Sequence, residues 1–210
     1  MCAASLVVIA EEALREENCK GSIQGGGSLA LVQQLENGAE ADLLLLADAG
    51  LLEQLKPERV ADSRIFAGNR LTLMTRKKGA ESAETLLKRP ELTLAVADPQ
   101  AAPLGRYTEE ALSQFQVRNR RVPLKDASGV VAALKSGHAD LAVLYQTDSK
   151  RLQNAVVVTV LPAESHSPVH YLAVLLKPKK REAGKLFDFL TSARATPILE
   201  KHGFIEPAPQ

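Results

Sequence analysis

The chain has 210 residues, 45% of them hydrophobic and 24% charged, which is ordinary globular composition. Lys plus Arg number 26 against 25 for Asp plus Glu, and a formal net charge of +1 offers no basic face for nucleic acid. No apolar run of about 18 residues spans a bilayer, and the start lacks the pattern of a secretory signal, so on composition alone this is a cytosolic protein or a mature or trimmed form.

From the amino terminus onward, amphipathic stretches alternate with short apolar runs. Helical spacing is expected near residues 6–17, 29–37, 81–88, 106–115, 128–136, 182–190 and 193–202. Buried strands are expected at Leu43–Leu46, Leu71–Thr75, Leu92–Val96, Leu141–Leu144, Ala155–Val160 and Tyr171–Leu176. Gly137 ends the helical pattern that begins near Ser128. Strands alternating with helices predict an α/β fold with parallel sheets covered on both faces. The Pro207-Ala208-Pro209 tail reads as loose.

In such folds ligands sit beyond the carboxyl ends of strands, where helices begin. Four of these corners carry suggestive chemistry: Ala3-Ala4-Ser5, Gly25-Gly26-Gly27-Ser28, Asp98 to Gly105, and Asp126-Ala127-Ser128-Gly129. The second also satisfies GxGxxA, with Asp48 ending a strand 18 residues after Ala30, the ingredients of a dinucleotide fingerprint. It equally reads as a near miss to a serine nucleophile elbow, as an anion-binding helix start, or as a glycine turn capped by Ser28. Local pattern alone leaves these open.

Other features carry less. His138, His166, His170 and His202 show no metal-binding spacing and no claim to be the base for Ser28. Lys177-Pro178-Lys179-Lys180-Arg181 reads as a solvated loop ahead of a helix. Cys2 and Cys19 lack zinc or redox spacing, and two free, partly buried thiols are expected rather than a disulfide.

Taken end to end, the sequence resembles the molybdate- and tungstate-binding proteins of bacterial ABC importers. The resemblance runs through Ala3-Ala4-Ser5-Leu6, Gly38 to Leu43 with Ala47-Asp48, Gly68-Asn69-Arg70-Leu71 and Leu94 to Pro99. It continues through Pro103-Leu104-Gly105-Arg106-Tyr107, Leu141 to Tyr145 with Asp148, Pro162 to His166, and Lys201-His202-Gly203-Phe204. It implies a type II periplasmic-binding-protein fold: two α/β lobes with mixed, mostly parallel sheets joined by two hinge crossovers. Lobe one is expected at 1–75 plus 170–210, and lobe two at 76–169.

The same resemblance implies an extracytoplasmic solute-binding protein that is not an enzyme and has no cofactor; the sequence carries no oligomer signal, so a monomer is expected. It would hold a tetrahedral oxyanion between its lobes and deliver it to an ABC permease. The oxyanion-binding positions it carries over are Ser5 and Ser28 as hydroxyl donors, Leu104 and Ala127 as main-chain donors, and Tyr145 as a phenol. No side chain would coordinate metal directly. It also turns the GxGxxA match into an oxyanion-binding turn. Such a site selects against protonated oxyanions, because none of the five positions is a carboxylate that could accept their proton.

Three departures from the family pattern bear on the ligand, the first being Gly25-Gly26-Gly27 ahead of Ser28 where relatives have several hydroxyls. Leu104 stands where alanine is common and is expected to add bulk beside the anion. The chain opens Met1-Cys2-Ala3, so the strand ahead of Ser5 is expected to be short and its mount weak. The competing readings are a cytosolic ligand sensor of the same fold, and a nicotinamide-dependent or serine enzyme built on Gly25–Ser28.

Overall fold

A computed structural model describes residues 1–77, 79, 81–152 and 154–207. The first elements are β1 (Cys2–Ala3), a 3-10 turn at Ala4–Leu6, α1 (Val7–Glu16), β2 (Gly25–Gly26) and α2 (Ser28–Glu36). Next come β3 (Leu43–Leu46), β4 (Val60–Asn69), β5 (Leu71–Thr75), α3 (Ala83–Leu87), β6 (Thr93–Ala97) and α4 (Pro103–Leu112). The chain continues through β7 (Arg120–Leu124), α5 (Ala127–Ser136), β8 (Leu141–Tyr145), β9 (Val156–Val160) and β10 (Val169–Leu176). It ends with α6 (Arg181–Leu190) and α7 (Thr196–Lys201). Residues 208 and 209 of the expected loose tail lie outside the described residues.

Two compact units result, Met1–Gly68 with Val169–Gln210, and Asn69–Pro168. The chain passes from one to the other at Gly68–Asn69 and back at Pro168–Val169. The first boundary corrects the sequence expectation, which ran lobe one to residue 75. β5 pairs along its length with β8 and β9, so it belongs to the second sheet.

The first unit holds a five-stranded sheet in the order β2-β1-β3-β10-β4. All four leucines of β3 are buried, as two-sided coverage demands, and Leu44 and Leu46 pack with Leu31, Leu35, Leu172 and Val174. The two residues of β1 suffice to pair with β2 on one side and β3 on the other, and both are buried. The Met1 carbonyl accepts from Leu45 N–H, extending that attachment. Ser5 therefore follows a strand that is short, as expected, yet buried and with a neighbour on each side. Cys2 and Cys19 are free thiols.

The second unit has the order β7-β6-β8-β5-β9. β6 runs parallel to β7 and β8, while β5 is antiparallel to β8 and β9. The chain goes from β6 through α4 to its parallel neighbour β7, then through α5 to β8 on the other side of β6, the kind of helical crossover a parallel return requires. In α5 the Asp126 cap starts the helix and Gly137, at φ +83°, ends it in the left-handed region where a side chain is penalised.

Two further strands, β4 and β7, went unpredicted. Each is a sheet edge, and their exposed or half-buried charged residues break the apolar pattern.

The carboxyl-terminal helix is tied to α1 by charge. Glu12, only 18% exposed at its side chain, accepts from Lys201 Nζ at 2.9 and 3.0 Å and meets His202 Nε2 at 2.9 Å. The bond from Lys201, then that from His202, hold the Glu12 carboxyl below its ordinary value of 4.5. A depressed acid contributes stability that is complete above its ordinary value and lost as pH falls through the depressed one. Hydrogen-exchange protection of α7, corrected for intrinsic rate, is expected to fall as pH drops below 4.5. A Glu12→Gln variant should lack that pH dependence; identical pH profiles in both proteins would refute this account.

Candidate functional site

Beyond the carboxyl edge of the first sheet, neighbouring parallel strands deliver the two serines. Ala3 of β1 pairs in register with Gly26 of β2, and Ser5 and Ser28 each follow two residues later. The fold therefore brings these side chains off adjacent strands at the same level. Neither is a helix cap. The cap residues are Ala3 for the 3-10 turn, Leu6 for α1 and Gly27 for α2, and none makes a side-chain capping bond.

The two hydroxyls differ in what they already do. Ser5 Oγ is exposed and makes no hydrogen bond among the described residues. Ser28 Oγ accepts from Ala47 N–H at 3.0 Å, fastening the start of α2 to the end of β3. A hydroxyl whose lone pair is occupied by a donor still has its proton to give, so this bond leaves Ser28 a donor.

The glycines ahead of Ser28 explain why the dinucleotide fingerprint misleads. Gly25 and Gly26 form the strand itself rather than a phosphate turn. A Cβ on Gly25 would stand 2.8 Å from Val7 Cγ2, and one on Gly26 3.1 Å from Leu31 Cδ2. Both are glycine because α1 and α2 pack closely over that strand.

In the second unit, β7, β6 and β8 are adjacent and mutually parallel, so the three remaining positions also share one carboxyl edge. Leu104 is the second residue of α4, whose Ala102 cap makes no side-chain bond. No described residue accepts from the Leu104 N–H, as expected in the first turn of such a helix. The Leu104 side chain is 1% exposed, so its bulk goes into the core rather than beside an anion, a correction to the sequence expectation. Ala127, half-buried, is the first residue of α5, and its N–H likewise meets no described acceptor. Tyr145 closes β8 at 9% exposure, paired across the sheet with Leu71.

Sequence reasoning named the corners but missed the contacts by which their residues aim these groups. Gly105 lets α4 begin directly over the end of β6: a Cβ there would fall 2.5 Å from the Asp98 carbonyl carbon and 2.6 Å from Pro99 Cα. Pro103, at the first turn, is the start signal that the expected helix at 106–115 passed over. Asp48, Asp98 and Asp126 each accept from a main-chain N–H a few residues on, at Gly50, Gln100 and Gly129. Gln146, beside Tyr145, has Oε1 buried without a hydrogen bond.

Each unit thus presents neutral donors at the carboxyl edge of its sheet, with helix amino termini behind several of them. Such ends favour negative charge through free N–H groups and the helix dipole. A hollow lined by Met1, Gln24, Asp42 and Leu43 lies at the opposite edge of the first sheet and receives none of these corners.

Comparison with known proteins identifies the family and the fold. The family model of bacterial extracellular solute-binding proteins matches residues 3–205. The chain is 30% identical over 191 residues to the molybdate-binding protein ModA of Haemophilus influenzae, covering 84% of this chain and 75% of that one. Among solved structures, the substrate-binding domain of a putative molybdenum ABC transporter from Clostridium difficile superposes with a TM-score of 0.80 at 27% identity. That match covers 99% of this chain and 97% of the other. The Azotobacter vinelandii periplasmic molybdate-binding protein shares the fold at the same TM-score with 19% identity, covering 100% and 98% of the two chains.

Proposed function

Since the chain belongs to the bacterial extracellular solute-binding proteins, we propose that it captures molybdate or tungstate outside the cytoplasm and hands it to an ABC permease. Each unit contributes its own set of proposed donors. Ser5 and Ser28 donate from the first, and the N–H groups of Leu104 and Ala127 and the Tyr145 phenol donate from the second. The observation that carries this reading is the registered pair of serines, neither spent on capping and both with a proton to donate.

The chemistry suits a fully ionised tetrahedral anion. Hydrogen bonds to a charged group contribute about 1.5–3 kcal/mol each. Several together offset desolvation and leave about 8–12 kcal/mol, the micromolar-to-nanomolar range. None of the five positions is a Lys or Arg, so dipoles rather than cations supply the field.

Calorimetric titration with molybdate, tungstate, sulfate and phosphate is the direct check. The first two are expected to bind in that range and to compete with each other. Absence of heat from both would reject the ligand assignment.

A further inference from the structure

Asp126 has no part in the donor set above, and we infer that it sets the charge state of the oxyanion the protein prefers. The inference rests on the proposed oxyanion site. The starts at Ala3, Gly27 and Ala102 have no side-chain cap. At the α5 corner, by contrast, Asp126 Oδ1 accepts from Gly129 N–H at 2.9 Å. One negative charge is therefore already fixed on the turn that offers Ala127 N–H to the ligand. Its other oxygen, Oδ2, makes no hydrogen bond among the described residues and is free to accept.

Two consequences follow for an anion on this turn. A dianion held by the Ala127 N–H is repelled by a carboxylate on the neighbouring residue. In a water-like medium at a separation of about 6 Å, that repulsion weakens binding on the order of tenfold. A monoanion such as dihydrogen phosphate suffers about half the repulsion in the exponent, and one of its protons finds an acceptor in Oδ2. Asp126 thus works against the discrimination that a donor-only site gives, narrowing the margin between molybdate and dihydrogen phosphate.

The test compares wild type with Asp126→Asn and Asp126→Ala by calorimetry, using molybdate and phosphate just below neutral pH. There phosphate is mostly the dihydrogen monoanion and molybdate remains a dianion. Asn caps a helix about as well as Asp, so that variant keeps α5 while losing the charge. It is expected to bind molybdate about tenfold more tightly with unchanged Tm, and phosphate no more tightly than wild type. The Ala variant should show a lower Tm and still gain molybdate affinity. Equal or weaker molybdate binding by both variants, beside a wild type that binds, would leave Asp126 a cap and overturn the inference alone. If no protein binds molybdate, the functional reading falls with it.

Discussion

Gly105→Ala is expected to lower both the thermal stability of the protein and its affinity for molybdate. The methyl group would meet the Asp98 carbonyl carbon at 2.5 Å and Pro99 Cα at 2.6 Å, and both are main-chain atoms. No rotamer change relieves such a clash, so α4 must slide or the turn after β6 must open. Sliding is resisted because Leu104, Tyr107, Ala111 and Leu112 are buried from the same helix. Overpacking of this kind costs about 1–3 kcal/mol. At about 2–4 °C per kcal/mol for a chain of this size, Tm should fall by several degrees. Affinity should fall too, because the displaced turn carries the Leu104 N–H. Thermal unfolding and a molybdate titration on the same preparation check both. Full stability would show that α4 has slack, and full affinity in a destabilised protein would remove Leu104 from the site.

The sequence disclosed elements wherever both faces of a strand or one stripe of a helix are apolar. Leu43–Leu46, Leu141–Leu144 and Tyr171–Leu176 are legible for that reason. It concealed β4 and β7, where edge positions admit Asp62, Arg64, Arg120 and Arg121, and where Pro123 costs no ladder bond that an interior strand would need. β1 and β2 are too short to carry a pattern. Leu71–Thr75 was legible as a strand but not as a member of the second unit, because its partners Leu141–Tyr145 and Val156–Val160 lie far along the chain. The same limit governs the site. Serines at strand-to-helix corners advertise their chemistry, whereas the role proposed for Leu104 and Ala127 rests on N–H groups that every residue but proline possesses. Only resemblance pointed to them. Gly105 and the Ala47 N–H are defined by contacts across the fold, which no local pattern reports.

Ser5→Ala and Ser28→Ala should separate binding from folding, although the two hydroxyls have the same proposed role. Removing the Ser5 hydroxyl deletes a group that is exposed and has no partner among the described residues. Tm should hardly change, while the lost charge-assisted bond of about 1.5–3 kcal/mol weakens molybdate binding by roughly ten- to hundredfold. Removing the Ser28 hydroxyl deletes an equivalent donor and also strips the Ala47 N–H of its acceptor. A partly buried N–H left unsatisfied costs about 1–3 kcal/mol, so this variant should lose affinity and Tm together. It should also loosen the turn after β3, visible as faster hydrogen exchange at Ala47. Ser28→Thr keeps the oxygen and is expected to restore the Ala47 bond. Recovery of Tm without affinity would then place the added methyl group against the anion. Equal Tm in the two alanine variants would mean that the Ala47 bond contributes nothing to folding. Undiminished molybdate binding in the Ser5 variant would remove that hydroxyl from the donor set.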